Sequence, residues 1–290
     1  MAEFPKVHTV TGKFMFLPRD HVHAYVVELE NSCVVIDATL AISSAADVRR
    51  CAESLRKPIE AVLLTHGHPD HYTGLVKFQD LPRLASQGGL DFAHREDIAK
   101  AHTAKGYLGD EYPDERVFPN EIVKDGDTFT FGGVQFKFTD LGPGESDSDG
   151  MWTLEKDGMR LAFVGDSVAN RCHCFFRDGH TFDWLKILDR LEKEFDNNTM
   201  LYIGHGATPS TKEAIQWQRG YIQTYHAFME ALEDKSLPVT RATQEKLIAA
   251  MKRYLPGDAT LFLLDYEMEV FMNAFIERYY AGQMSASRSA

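Results

Sequence analysis

Three imidazoles and a carboxylate fall within six residues in Thr65-His66-Gly67-His68-Pro69-Asp70-His71, directly after the apolar run Ala61-Val62-Leu63-Leu64. Imidazole nitrogen and carboxylate oxygen together suit Zn²⁺ or another borderline first-row ion. A tight loop leaving a buried strand can aim alternate side chains at one point and the remainder at a second. Incidental histidines on a polar loop do not account for four ligand-type residues in one place. Two later segments end in the same kind of residue. Leu161-Ala162-Phe163-Val164-Gly165-Asp166 reads as an apolar strand ending in Gly-Asp, and Leu201-Tyr202-Ile203-Gly204-His205-Gly206 as another ending in Gly-His-Gly. Taken singly, a strand followed by Gly-Asp is usually only a turn.

His-x-His-x-Asp-His resembles the signature of the metallo-β-lactamase fold, and the two strand ends follow it in that family's order and at family-like distances. The resemblance implies a dinuclear site in which His66 and His68 bind one metal, Asp70 and His71 bind the second, Asp166 bridges and His205 is the final histidine ligand. One position departs from the pattern. The segment Asp140-Leu141-Gly142-Pro143-Gly144-Glu145-Ser146-Asp147-Ser148-Asp149 places Glu145 where relatives carry a third histidine. Alkylsulfatases of the superfamily also use a glutamate among the ligands of the first metal, so the resemblance admits Glu145 as a ligand. A carboxylate there adds a full negative charge beside the metal, weakens its pull on bound water and favours harder ions. Two divalent ions are therefore implied, Zn²⁺ first, with Mn²⁺ or Fe²⁺ as alternatives. The competing reading makes Glu145 a solvated residue of a Gly-Pro-Gly turn beside a weak or empty first site.

Those residues need strands to carry them. Tyr25 to Glu28 and Cys33 to Ile36 read as paired strands around Glu30-Asn31-Ser32. Ser44 is placed to cap a helix whose apolar positions Val48, Cys51, Ala52 and Leu55 recur at helical spacing up to Pro58. Phe129 and Phe131 alternate before Gly132-Gly133, and Val134, Phe136 and Phe138 alternate after it, which predicts a hairpin. Lys156-Asp157-Gly158 marks a second. A helix from about Thr181 presents Trp184, Ile187, Leu188 and Leu191 on one side. Strands followed by helix, twice over, fit an α/β fold, the four-layer αβ/βα sandwich of the metallo-β-lactamase family, over residues 1–210. From 211 to 290 the pattern becomes helical, over Lys212–Asp234, Thr240–Tyr254 and about Leu261–Tyr280, with a frayed tail from Met284. This predicts a C-terminal helical extension packed on the catalytic domain. Its stripe of Phe271, Phe275 and Tyr279 must be covered, by the core first and by a homodimer partner or substrate lid second.

Composition narrows the function. A chain of 290 residues with 44% hydrophobic content can bury a large core. The longest apolar runs, such as Phe14-Met15-Phe16-Leu17, are far too short to span a bilayer, and Met1-Ala2-Glu3-Phe4 lacks the features of a secretory signal. A formal charge of −12 and the lack of a long Lys/Arg run argue against nucleic acid. Four cysteines make no dense disulfide framework in a chain this long, which fits a reduced cytoplasm. Cys172-His173-Cys174, a lone cluster, reads as packing rather than metal binding.

The chemistry expected is hydrolysis of a small-molecule ester, lactone, thioester or related bond, by a hydroxide shared between two cations about 3.5 to 4 Å apart. Asp70 is the candidate to steer that nucleophile. His173 and His180, in the segment leaving the Asp166 strand end, are candidates for a general acid or a substrate contact. Tyr72 is a candidate to orient a substrate oxygen, and the stretch from Leu81 to Glu121, with Tyr107 and Tyr112, a candidate wall or lid. Two rivals remain open. One is a mononuclear iron-dependent oxygenase of the same fold; the other is a ligand-binding regulatory protein with weak turnover.

Overall fold

A computed structural model of the chain describes residues 5–14 and 21–288. Met1 to Phe4, the run Met15 to Leu17 and the last two residues of the tail lie outside the described residues. Among the described residues, eleven strands form two sheets. The first, in spatial order, consists of β1 (Lys6–Lys13), β2 (His21–Glu28), β3 (Cys33–Ile36), β4 (Ile59–Leu63), β5 (Arg83–Ser86) and β6 (Glu121–Val123). The second runs β11 (Thr199–Ile203), β10 (Met159–Gly165), β9 (Asp149–Lys156), β8 (Val134–Gly142) and β7 (Thr128–Phe131). β3 to β6 are mutually parallel, as are β10 and β11, and the remaining pairs are antiparallel.

Side-chain alternation explains why the sheets stack. Tyr25 and Val27 of β2, Val34 and Ile36 of β3, and Ala61 and Leu63 of β4 enter one cluster with Phe136, Phe138, Trp152, Leu154, Leu161 and Phe163 of the second sheet. The intervening Ala24, Val26, Val35 and Val62 point to the opposite face. There they pack on Val48 and Ala52 of α1 (Ile42–Ser54) and on Leu75 and Phe78. Likewise Ala162 and Val164 of β10 and Leu201 and Ile203 of β11 turn away from the first sheet. They meet Trp184, Ile187, Leu188 and Leu191 of α4 (Thr181–Glu194). Strand period two thus builds two apolar faces per sheet, and helices cover both outer faces, giving the αβ/βα sandwich.

The C-terminal helices belong to the same core. α5 (Glu213–Glu230), α6 (Arg241–Tyr254), α7 (Leu261–Asp265) and α8 (Met268–Arg288) bury Tyr221, Tyr225, Leu247, Met251, Phe271 and Phe275 in the cluster that contains β10, β11 and α4. In the stripe of Phe271, Phe275 and Tyr279, the two phenylalanines are buried core, packed against Phe176, Tyr225 and Phe182, and Tyr279 is partly buried beside them. The expected single helix over Leu261–Tyr280 is two, because Glu267 takes a left-handed φ of 47° between α7 and α8. The tail from Met284 continues α8 to Arg288. Ser44 does not cap α1. The helix begins at Ile42 after Ala41 without a side-chain cap, and Ser44 Oγ instead accepts the Lys13 backbone N–H at 3.2 Å. No helix among the described residues is long and apolar enough to cross a membrane.

Candidate metal centre

Five strands end at one edge of the sandwich, and the residue or loop that follows each carries a candidate group. Asp37 follows β3, His66 to His71 follow β4, Glu145 follows β8, Asp166 follows β10 and His205 follows β11. β4 leads out to His66 and His68, and the backbone of His68 is extended. The proline after His68 favours that conformation for the residue before it, and then starts α2 (Pro69–Tyr72) at its first position. The strand-to-helix switch is what turns Asp70 and His71 toward a different point from His66 and His68. Glycine permits the closest approach. A Cβ on Gly204 would sit 1.8 Å from Asp166 Oδ1 and 2.8 Å from His71 Cε1.

Two adjacent sets of donor atoms result. Asp70, His71, Asp166 and His205 form one and His66, His68 and Glu145 the other, every member buried and each set's atoms within 4.8 Å of one another. Asp166 Oδ2 lies between them, 3.2 Å from His205 Nε2, 3.4 Å from His71 Nε2 and 4.0 Å from His66 Nε2. Glu145 Oε2 is 2.8 Å from His68 Nδ1 and 3.5 Å from His66 Nε2. Glu145 is only 4% exposed, which removes the solvated-turn description. Its loop is folded by Asp149, whose Oδ2 accepts the Glu145 N–H at 2.7 Å and whose Oδ1 accepts the Ser146 hydroxyl at 2.6 Å.

Each imidazole has its outward nitrogen engaged by an acceptor. His71 Nδ1 donates to Asp37 Oδ2 at 3.0 Å, His68 Nε2 to Asp178 Oδ2 at 3.0 Å, and His205 Nδ1 to the His21 carbonyl at 2.6 Å. Thr65 Oγ1 gives its own proton to Asp37 Oδ2 at 2.9 Å and so accepts from His66 Nδ1 at 3.1 Å. In the neutral imidazoles the inward nitrogens then carry the lone pairs, directed at the centre. His66 Nε2, His71 Nε2, Glu145 Oε2 and Asp166 Oδ1 are buried without any hydrogen-bond partner. Orphaned acceptors of this kind are costly unless a cation satisfies them, so the donor set fits divalent metal ions.

Electrostatics point the same way. Burial, with the neighbouring His71, holds His66 well below the usual histidine range. Burial opposes charge on His68 too, yet Glu145 and Asp178 push its pKa up to about 10. His71 and His205 are likewise raised against burial, Asp166 being the main cause. Burial pushes Glu145 up to about 8. The cluster attracts positive charge, as protons or as metal.

The remaining sequence candidates are not brought to this point. His173 is buried elsewhere. Its Nε2 donates to the Gly257 carbonyl at 3.0 Å, and its Nδ1 accepts the Tyr221 hydroxyl at 2.7 Å. His180 turns outward, 2.7 Å from Asp147 Oδ1. Both are therefore corrected from candidate acids to structural residues. Tyr72 is fully buried with its hydroxyl on Asp97 Oδ1 at 3.2 Å, and Tyr107 is exposed. Cys172 and Cys174 are buried free thiols. Sequence reasoning missed Asp37 and Asp178. Asp37 carried a signal, since it follows the apolar run Cys33-Val34-Val35-Ile36 as Asp166 follows its own strand; its φ of 57° lets one carboxylate reach both Thr65 and His71.

The centre opens into a cleft. Asp70, Glu145, Asp166, His68 and His205 form its floor. Lys100, Thr103 and Ala104 of α3 (Gln87–Leu108) form one wall, as the stretch from Leu81 to Glu121 was expected to do.

Known proteins share this fold. A search of curated proteins gives no significant match. Among solved structures, a metallo-β-lactamase family protein from Thermus thermophilus is 21% identical, with 91% of this chain and 93% of that one covered at a TM-score of 0.64. A β-lactamase domain protein from Burkholderia ambifaria is 18% identical, covering 95% and 86% at 0.64. A double mutant of a sec-alkyl sulfatase is 17% identical, covering 95% of this chain but 50% of that one at 0.60. At such identities the likeness shows the fold. The family description of the metallo-β-lactamase superfamily, however, matches residues 17–205, well over half of the chain and every candidate from His66 to His205, and the chain therefore belongs to that superfamily.

Proposed function

We propose that the protein is a dinuclear metal-dependent hydrolase acting on a small-molecule ester, lactone, thioester or related bond. The observation that carries this is the set of inward-facing imidazole lone pairs and orphaned carboxylate oxygens at the floor of an open cleft. His66, His68 and Glu145 would hold one ion. Asp70, His71 and His205 would hold the other, with Asp166 between. Bound there, divalent ions supply a water acidic enough to lose its proton near neutral pH and a positive charge that polarises the scissile bond. Zn²⁺ suits the four imidazoles, and the added carboxylate of Glu145 keeps Mn²⁺ and Fe²⁺ in contention.

The chain's own residues then orient and exclude. Asp70 lines the cleft and accepts a hydrogen bond from the attacking water, steering it toward the carbonyl carbon. Asp37, Thr65 and Asp178 fix the imidazole planes through the contacts described above. The leaving oxygen takes its proton from solvent at the open side, since neither His173 nor His180 lines the cleft.

Metal quantification on the native protein, followed by a panel of lactone, thioester, aryl ester, phosphodiester and sulfate substrates, tests the proposal. Two equivalents of metal and turnover of an ester or lactone are expected. His68→Ala and Asp166→Ala should each lose metal and more than about 100-fold in turnover, beyond what loss of a supporting contact costs, with circular dichroism unchanged. If Glu145→Ala keeps both metal content and turnover, its assignment as a ligand is wrong. A second reading is favoured by one observation, the two-histidine, one-carboxylate set His66, His68 and Glu145, which is the donor composition of mononuclear iron oxygenases. Oxygen consumption that requires Fe²⁺, with one equivalent bound, would select it.

A further inference from the structure

The walls of the cleft differ sharply from its floor. Phe14 stands edge-on to His205 with ring centroids 5.1 Å apart, and Phe175 edge-on to His68, also at 5.1 Å. Phe262, Leu263 and Tyr266, from α7 and the residue after it, join Phe14 and Phe175 in one apolar cluster that lines the cleft. Among the described residues lining the cleft, Lys100 is the one lysine or arginine. It does not wait for an anion: Nζ pairs with the carboxylate of Glu96, which is 2% exposed, and lies 4.9 Å over the Phe175 ring.

Charge counting bears on the reacting group. The three carboxylates Asp70, Glu145 and Asp166 cancel all but one unit of the charge of two divalent ions, and a hydroxide nucleophile cancels the last. A sulfate or phosphate ester would bring uncompensated negative charge beside buried carboxylates, between aromatic rings that cannot solvate it. A neutral carbonyl with an apolar substituent meets no such penalty and removes apolar area from water.

We infer that the aromatic side of the cleft is the subsite for an uncharged apolar acyl or aryl group, so that the substrate is a hydrophobic carboxylic ester or lactone rather than a sulfate or phosphate ester. The inference rests on the hydrolase reading for the reaction and on the cleft alone for the subsite. In that reaction the water oxygen bonds to the carbonyl carbon, the carbon's bond to the alkoxy oxygen breaks, and the alkoxy oxygen takes a proton, giving acid and alcohol. α7 becomes the specificity-determining element, since Phe262 and Leu263 line the cleft and belong to neither donor set.

The probes are straight-chain methyl ketones of five to eleven carbons, which carry the carbonyl and the chain but cannot be hydrolysed. Calorimetry on the metal-loaded protein should show affinity rising by about two- to fourfold per added methylene, with a negative heat-capacity change. The partly exposed Phe262, changed as Phe262→Ala, should flatten that series while metal content stays the same. Alkyl sulfates of equal length should bind more weakly than the ketones. A flat ketone series in the unaltered protein, or preference for the sulfates, overturns the subsite. Ketone binding of the expected kind in a loaded protein that cleaves no ester or lactone would overturn the hydrolase reading instead and leave the subsite standing. Ester turnover with no dependence on chain length would do the reverse.

Discussion

Asp178 does for His68 what Asp37 does for His71, but from a distant part of the chain, in the loop between β10 and α4. Its side chain is 2% exposed, and its carboxylate, held down to about 2 against the effect of burial by His68, also meets Arg177 Nη1 at 3.3 Å. Supporting carboxylates of this kind fix an imidazole's tautomer and plane, and their loss typically costs ten- to a hundredfold in metal affinity. Asp178→Ala is expected to weaken one metal equivalent, that of the His66, His68 and Glu145 set, by about 10- to 100-fold in chelator competition. The other equivalent should hold. Equal weakening of both, or of neither, would show that Asp178 has no such positioning role. The cluster His66 to His71, with Asp166 and His205, was legible because like residues sat at strand ends. Asp178 was not, because it precedes a helix in an irregular segment and acquires its partner across 110 residues of chain.

At the scale of elements, His173 shows how a sequence candidate was right about place and wrong about task. It lies in the segment leaving the site, as expected, but its bonds go to α5 through Tyr221 and to the loop before α7 through Gly257. Its backbone joins in, the N–H donating to the Ala259 carbonyl at 2.9 Å and the carbonyl accepting the Thr260 hydroxyl at 2.6 Å. The residue therefore moors α7 over the cleft. His173→Ala would leave Tyr221 and Gly257 short of a partner, a loss of about 1–3 kcal/mol of stability that urea denaturation can read. KM for a hydrophobic ester should rise while metal content and kcat stay near their original values. A collapse of kcat with KM unchanged would return His173 to the chemistry. The hairpins and the strands that carry the donor residues were foreseen from apolar runs, period two and glycine turns, whereas β1, β5 and β6 were not. The break between α7 and α8 was not, because Glu267 in left-handed backbone has no local signal, and Ser44 lost its capping role to a tertiary contact with Lys13.

At the scale of the molecule, the C-terminal helices and the second sheet share one core, and that core contains a titratable group. His226 of α5 lies among Phe182, Tyr225 and Phe275, with Nε2 2.8 Å from Thr181 Oγ1. Burial first, then the charge of Arg278, push its pKa down to about 4. The unfolded chain binds this proton near pH 6.5, so between the two values unfolding takes up a proton. The contribution is complete above about pH 6.5 and is lost progressively as pH falls toward 4. Urea midpoints should therefore fall over that interval, and His226→Gln should reduce the slope. An unchanged slope would place the acid sensitivity elsewhere.

Sequence alone determined the local facts: which residues can bind a metal, that they sit at the ends of apolar strands, and that strand and helix alternate as a sandwich requires. Those follow from periodicity and residue type, which act over a few neighbours. Only the tertiary structure decided which histidines converge, that Glu145 is buried beside His68, that Asp37 and Asp178 hold two of the imidazoles, and that His173 and His180 stand apart. These depend on the meeting of strand ends from two sheets and on loops separated by 34 residues at the least and by 110 between His68 and Asp178, and no short-range pattern encodes the direction in which such a loop finally points a side chain.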